Sequence, residues 1–535
     1  MQNSKFWKLR QTWIKIKRKL GKMSADPLQP TDYTFTPGVQ EFVARIAGQK
    51  IRFFQAPATQ APVVSIISSC FQEYQYIETT YRSIINQTLQ NFEWIIVDDG
   101  SSHPETKALL SSLPQRTAKI RVISQTAHRG VAASYNTAIA QAKGKHLCFV
   151  NFGDILDPTY LEKCVLFLET HPQVPIVNSY SIVFQAQEHW WHSHLSQPTS
   201  LFRQNGVMSH PLYRKTDFDQ LGGFDETLHG FADWERCLKV LAQHQSGWTI
   251  PEYLDCYRAT DETTPAIAHN PTTDIQKTIE TIHDRYQTVL KLPATIALEP
   301  QPLNLDALNA RLNLENQLER FNSGKHILLF CDALDNSDVA KWNCDLILWL
   351  EQCGYDVAIV TTSASDHSCQ EFFYRATPDI FHLPNLFDQA HWLAFTRYIL
   401  VSRQINGLLI AGSEIAYAFL PLLRIKFPKV ALIDYSHAHP ATEQSDRAVN
   451  LSCQFTEDLD CQIVPSQRSA KAYKSLNATA HTKIQVCYTQ AQVEATLANV
   501  IRSRQTAVLA NPSVEAETEA LLLILESLQH IVICS

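Results

Sequence analysis

Two short apolar blocks constrain what this chain of 535 residues can fold into. Val63, Val64, Ile66 and Ile67 stop at the polar turn Cys70-Phe71-Gln72-Glu73, and residues 94–97 stop at Asp98-Asp99-Gly100-Ser101. Short β-branched runs without polar alternation mark strands buried on both faces, as in parallel sheets. Between them Ile77, Tyr81, Ile84 and Ile85 recur at mixed three- and four-residue spacing. That spacing predicts a helix, and the three segments together predict a βαβ unit. Both strands deliver polar residues at their carboxyl ends, where open α/β sheets bind ligands. No Gly-x-Gly-x-x-Gly follows the first strand and no Gly-Lys-Ser/Thr loop occurs, which excludes the usual dinucleotide and P-loop readings.

The stretch V-V-S-I-I-S-S-C-F-Q-E-Y, with V-D-D-G-S after the second strand, resembles the start of a family 2 glycosyltransferase of the GT-A fold. The resemblance implies a nucleotide pocket lined by Cys70 and Glu73, in which Phe71 packs on the base and Asp99 accepts from its imide. Further on, H-R-G-V-A-A-S-Y-N-T-A-I-A-Q-A-K-G-K is similar to the family's N-x-G-x-x-x-A-x-N-x-G helix, with Asn136 at the helix Asn and His128 replacing the usual first Asn. Arg129 falls either against the diphosphate or on the plain surface. The strand predicted at 146–150 ends in N-F-G-D, where the family has Asp-x-Asp-Asp. In the family those acids hold Mg²⁺ or Mn²⁺, which neutralises the leaving diphosphate. Here Asn151 and Gly153 replace two acids and Asp154 remains. The resemblance implies Asn151 at the nucleotide sugar and Asp154 as the one metal carboxylate, sufficient for an ion that keeps several waters.

A second block, Y-R-K-T-D-F-D-Q-L-G-G-F-D-E-T-L-H-G-F-A-D-W-E-R, resembles the family's Arg, Gly-Gly-Phe-Asp-Glu and Glu-Asp-Trp sequence, with Ala232-Asp233-Trp234 in the last position. The resemblance implies that Asp233 is the general base that deprotonates an acceptor hydroxyl. A carboxylate at a helix N-terminus is favoured in its charged form, though helix capping alone also explains an acid there. Residues 248–257 and Arg258 are similar to the family's closing strand and Tyr-Arg. His189, His192 and His194 lack acid or Cys partners at zinc spacing. Trp190 and Trp191 suit either a sugar-stacking face or burial.

From residue 325 a new α/β pattern begins, with strands predicted at 327–331, 357–361, 379–383, 407–411, 430–434, 461–465 and 484–488 and helices between them, the order of a doubly wound Rossmann-like sheet. L-D-N-S-D-V-A-K-W, A-G-S-E-I-A-Y and D-Y-S-H resemble the amino-terminal half of a family 4 glycosyltransferase of the GT-B fold, with Ser337-Asp338 in place of Gly-Gly. That half is expected to lack its donor-binding partner and to act as an acceptor-binding or assembly module. The predicted organisation is α/β throughout: a basic helix at 1–25, a lead-in at 26–62, the GT-A unit at 63–260, a helical and Pro-rich linker at 261–324, and the Rossmann-like unit at 325–535.

Charge places the chain in the cell. Residues 1–25 hold eight Lys/Arg and no acid, although the whole chain carries a net −7. Phe6, Leu9, Trp13, Ile16 and Leu20 form one apolar stripe, which suits an anionic membrane surface or a docking face on the protein itself. The acidic remainder argues against nucleic-acid binding. The 13 cysteines, odd in number and without a C-x-x-C pair, point to a reducing compartment. The expectation is a cytoplasmic enzyme, peripheral to the inner face of the membrane. It would move a sugar from a nucleoside-diphosphate sugar, with inversion, to a glycan or lipid-linked acceptor in cell-surface polysaccharide synthesis. The alternative is a degenerate relative kept as a glycan-binding or scaffolding module, to which Asn151, Gly153, Ala232, Ser337 and Asp338 point.

Overall fold

The computed structural model describes Val43 and residues 61–509, except 187, 194, 204–209, 229–230, 245–246, 260–272, 293–324, 366, 368, 437–442 and 477–482. The expected basic helix at 1–25 and most of the lead-in and linker lie outside the described residues. In the first unit the strands are β1 (Val64–Cys70), β2 (Phe92–Asp98), β3 (Ile120–Ser124), β4 (His146–Phe149), β5 (Ile155–Leu156), β6 (Ile176–Gln185), β7 (His189–Trp191), β8 (Leu212–Arg214) and β9 (Trp248–Ala259). They form one mixed sheet in the order β3-β2-β1-β4-β8-β6-β9-β5, with β7 on β6. The first four strands run parallel and β8 turns antiparallel against β4. Polar side chains inside this sheet are paired: Ser68 Oγ donates to the Val150 carbonyl at 2.6 Å and accepts from Trp94 Nε1 at 2.9 Å. Such pairing removes the cost of burying a hydroxyl.

Five helices matter for the site: α1 (Ile77–Ile85), α2 (Val131–Ile139), α3 (Tyr160–Thr170), α4 (Ala232–His244) and α5 (Thr273–Tyr286). The last falls in the segment expected to be a linker, yet it packs on the first unit. Ile282 is buried in that unit's core, His283 bonds the Phe202 carbonyl at 2.9 Å, and Arg285 pairs with Asp225 at 2.6 Å. The unit therefore extends past residue 260, because the apolar stripe of α5 covers sheet-side apolar surface rather than spanning open solvent.

The second unit has seven strands, β10 (His326–Cys331), β11 (Asp356–Thr361), β12 (Ile380–His382), β13 (Gly407–Ala411), β14 (Ala431–Tyr435), β15 (Cys461–Val464) and β16 (Ile484–Val486). All pairs are parallel, in the order β12-β11-β10-β13-β14-β15-β16. Ser337 caps the helix Asp338–Gln352 by accepting from the Ala340 amide at 3.2 Å, so a capping hydroxyl stands where Gly-Gly was expected.

The two units share one core. Leu161, Val165 and Leu168 of α3 lie in the same apolar cluster as Phe381, Leu386 and Tyr398 of the second unit. Glu162 and Lys163, adjacent on α3, are 2% and 0% exposed. Arg403 closes a bidentate pair with Glu162 at 2.7 and 2.6 Å and reaches Asp379 at 2.9 and 2.7 Å. The Tyr398 hydroxyl donates to the same Glu162 oxygen. Burial opposes the charge on Arg403, but the two carboxylates outweigh it and hold its pKa well above the ordinary guanidinium value. Lys163 pairs with Glu252 at 2.7 Å, and Asn385 donates to the other Glu252 oxygen at 3.2 Å. Arg403→Ala would leave Glu162 and Asp379 buried without their cation. It is expected to lower stability in denaturant unfolding by about 3–5 kcal/mol, with the two units losing their common transition; an unchanged midpoint would contradict this reading.

Candidate active site

The ends of β1 and β2 are tied together before any ligand enters. The Asp99 amide donates to the Cys70 carbonyl at 2.8 Å. Gly100, at φ 75°, turns the chain so closely under Ala127 that a Cβ there would lie 2.7 Å from that backbone. The Asp99 carboxylate, 1% exposed, accepts from the amides of Arg129 and Gly130, each at 2.8 Å, and pairs with His128 Nδ1 at 2.8 Å. It thereby fixes the loop that opens α2. Phe71 is 40% exposed and its ring stacks on His128 at 3.9 Å, forming a flat aromatic surface over Asp99. Glu73 is exposed beside it.

Two side chains at this pocket turn elsewhere. Cys70 is fully buried in the apolar core, where burial first, then Glu73 and Asp98, push its thiol up to about 12. Its carbonyl, not its side chain, serves the site. Arg129 does not aim at the space beside Asp99: its guanidinium turns to Glu226 at 3.3 Å, drawn by the opposite charge.

The turn after β4 holds the third set of groups. Asn151 Oδ1 accepts from the Tyr135 hydroxyl at 2.8 Å. Asp154 is 2% exposed; one oxygen accepts from the Arg258 amide at 2.8 Å and the other pairs with His210 Nε2 at 2.8 Å. On its far side His210 Nδ1 lies 3.5 Å from Asp255, whose other oxygen accepts from Ser179 and Ser181 at 2.9 and 3.1 Å. Burial favours neutral imidazole, but the two carboxylates prevail and raise His210 to about 10. The charged form of His210 is thus favoured by its two acid neighbours. Nothing in its sequence spacing marks it, because the carboxylate it meets lies 56 residues away.

This arrangement does not fit the divalent ion that the resemblance implies. Both Asp154 oxygens are engaged, one of them by a cation, Asn151 Oδ1 is taken by a phenol, and Gly153 has no side chain. Among the described residues no group of three or more His, Cys, Asp and Glu side chains is arranged to hold a metal.

Asp233 stands in the first turn of α4. Its side chain opens to solvent while protein surrounds it, and the loss of bulk water raises its pKa to about 6, with the His210 charge pulling the other way. Helix α4 is seated by Trp234 Nε1, which donates to the Leu201 carbonyl at 2.8 Å, and by Arg236, whose guanidinium lies 3.4 Å from the Phe218 ring centroid. The Tyr135 hydroxyl, bonded to Asn151, lies within electrostatic range of three acids: burial first, then Asp233, Asp154 and Glu73, raise its pKa well above normal. Trp190 packs edge-on against Tyr253 at 4.7 Å, and the Tyr253 hydroxyl is 2.7 Å from His192.

Asn136 in α2 clamps the Gly-Gly-Phe-Asp-Glu turn that leads into α4. Its Oδ1 accepts from the Phe224 amide at 2.8 Å, and its Nδ2 donates to the Phe224 carbonyl and to Glu226, both at 3.0 Å. A Cβ on Gly223 would lie 2.3 Å from that Oδ1, which explains glycine there.

Comparison with known proteins agrees with this geometry. Residues 65–261 match the family model "Glycosyl transferase family 2". An uncharacterized glycosyltransferase of Haemophilus influenzae is 32% identical over 127 residues, 24% of this chain and 39% of that protein. Another from the same organism is 26% identical over 235 residues, 42% of this chain and 77% of that protein. The putative teichuronic acid biosynthesis glycosyltransferase TuaG of Bacillus subtilis is 29% identical over 124 residues, 23% of this chain and 49% of that protein. The chain spans about two-fifths of the length of the first relatives, 39% and 41%. Similar solved structures include S. aureus TarS 1-349 in complex with UDP-GlcNAc (16% identity, 42% of this chain and 70% of that one, TM-score 0.36). Another is the mannosyltransferase PcManGT from Pyrobaculum calidifontis in complex with GDP-Man and Mn2+ (15%, 51% and 83%, TM-score 0.32). The match to the family 2 glycosyltransferase model thus falls on residues 65–261, which include the mixed sheet of the first unit. The likeness of the second unit to family 4 rests on its sequence motifs alone.

The clamp yields a coupled prediction. Asn136→Ala should cost about 1–3 kcal/mol through the unpaired Phe224 groups. Gly223→Ala should destabilise the wild type by its clash with Asn136, yet cost far less in the Asn136→Ala background. Additive losses in a double-mutant cycle by chemical denaturation would contradict the clamp.

Proposed function

We propose that this protein transfers a sugar from a nucleoside-diphosphate sugar to a hydroxyl of a glycan or lipid-linked acceptor with inversion, in the synthesis of a cell-surface polysaccharide. The observation that carries the reading is Asp233: a carboxylate open to the cleft, raised to about 6 by its surroundings, within electrostatic reach of the turns after β1 and β4. A base with a pKa near the working pH is deprotonated when needed and still binds the proton it removes. The donor's base would take the place of His128 on the Phe71 ring, with its imide toward Asp99, while Glu73 borders the pocket. Asp233 takes the acceptor proton as the acceptor oxygen bonds to the anomeric carbon. The bond from that carbon to the diphosphate oxygen breaks on the opposite face, and its electron pair leaves with the diphosphate.

Attachment to the membrane belongs to the same reading and rests on the basic amphipathic stripe of residues 1–25. Among the described residues no helix is long and apolar enough to cross a membrane. A second reading, a binding module without turnover, is favoured by one observation: the remaining acid of the expected metal motif is sequestered by His210 and the Arg258 amide.

Donor turnover separates the two. Asp233→Asn should lower the rate by about 10²–10⁴-fold while nucleotide binding persists. In the wild type the rate should rise with pH through about 6 as Asp233 loses its proton, and this limb should vanish in the variant. Equal, negligible turnover in both proteins would favour the binding module.

A further inference from the structure

The disagreement between the metal motif and the side chains present points to what replaces the metal. Gly153, at φ 104°, stands where the family carries an acid. A Cβ built on it would lie 2.9 Å from Arg258 Cδ and 3.0 Å from Arg258 Nε, so the arginine stem fills the volume such an acid would need. The guanidinium is held firmly there. Nε donates to the Gly153 carbonyl at 3.0 Å, and another nitrogen donates to Gln185 Oε1 at 2.6 Å. Its carbon lies 4.4 Å from the Tyr76 ring centroid and 4.5 Å from that of Phe184. These side-chain partners are an amide, a carbonyl and two aromatic rings, all neutral. The near carboxylate, Asp154, touches only the Arg258 backbone amide and spends its other oxygen on His210. Arg258 is half-buried. A fixed guanidinium with neutral partners is a ready site for a dianionic phosphate, which it can bind bidentately.

We propose that Arg258, and not a divalent cation, supplies the countercharge for the diphosphate of the donor, so that this chain binds nucleoside diphosphates without metal. The inference rests on the proposed function, since it assigns the charge partner within the same donor site. Arginine stays protonated throughout the physiological range, so the countercharge is permanent and needs no ion to be captured. The sequence shows the two halves of the device separately, a glycine in the metal motif and an arginine closing the last strand. Only the fold puts the second into the space vacated by the first.

The test is calorimetric titration of the full chain with UDP, GDP and their nucleosides, in EDTA and in Mn²⁺. The inference expects at least one diphosphate to bind in EDTA with a dissociation constant within about threefold of that in Mn²⁺. Arg258→Met, which keeps an apolar stem between Tyr76 and Phe184, should weaken the diphosphate at least about tenfold and flatten its salt dependence, while the nucleoside is unaffected. Arg258→Lys should restore part of the loss, and thermal melting of both variants shows whether the fold is kept. A diphosphate that binds only with Mn²⁺, or equally well to Arg258→Met, overturns the inference and leaves the proposed function standing. Failure of every diphosphate to bind under either condition overturns both.

Discussion

The first unit depends on one buried carboxylate, Asp154. With both oxygens occupied, it ties the turn after β4 to the Arg258 amide on β9 and, through His210, to Asp255 on the same strand. A buried acid is tolerable only with such partners, because desolvation otherwise costs several kcal/mol. The consequence reaches every other group in the cleft. Fixing β9 against the β4 turn sets the Arg258 side chain beside Gly153. The His210 charge sits between two acids and draws on the pKa of Asp233, so the same cluster that shapes the cleft also tunes its base.

A second buried ionic cluster joins this unit to the next. Glu162 and Lys163 are both directed out of α3 into the second unit, where Arg403, Asp379, Tyr398 and Asn385 receive them or their partners. The apolar core is continuous across the same boundary. The second unit covers α3, the helix that follows the β4 turn, so its place in the molecule is architectural.

Much of this was legible in the sequence because burial leaves a pattern. Strands β1 and β2 are apolar on both faces, and all seven strands of the second sheet fall within two residues of their predicted ends for the same reason. Asp99 and Asp233 were singled out through motifs whose residues are close in the chain. What was missed is what depends on distant partners. The burial of the charged neighbours Glu162 and Lys163 is explained only by the docked unit. Asp154 read as a free metal carboxylate, since nothing local signals His210. The Cys70 side chain follows the core, and Arg129, left open between the diphosphate and the surface, follows the charge of Glu226.

The stereochemistry of donor cleavage tests the central claim most directly, because the proposed direct displacement permits only one outcome. Proton NMR can follow the anomeric signal of sugar released to water from an α-linked nucleotide sugar that the protein accepts. The proposed displacement with Asp233 as base predicts that the β anomer appears first, with the α form growing only as the free sugar equilibrates. Initial release of the α anomer would contradict the account.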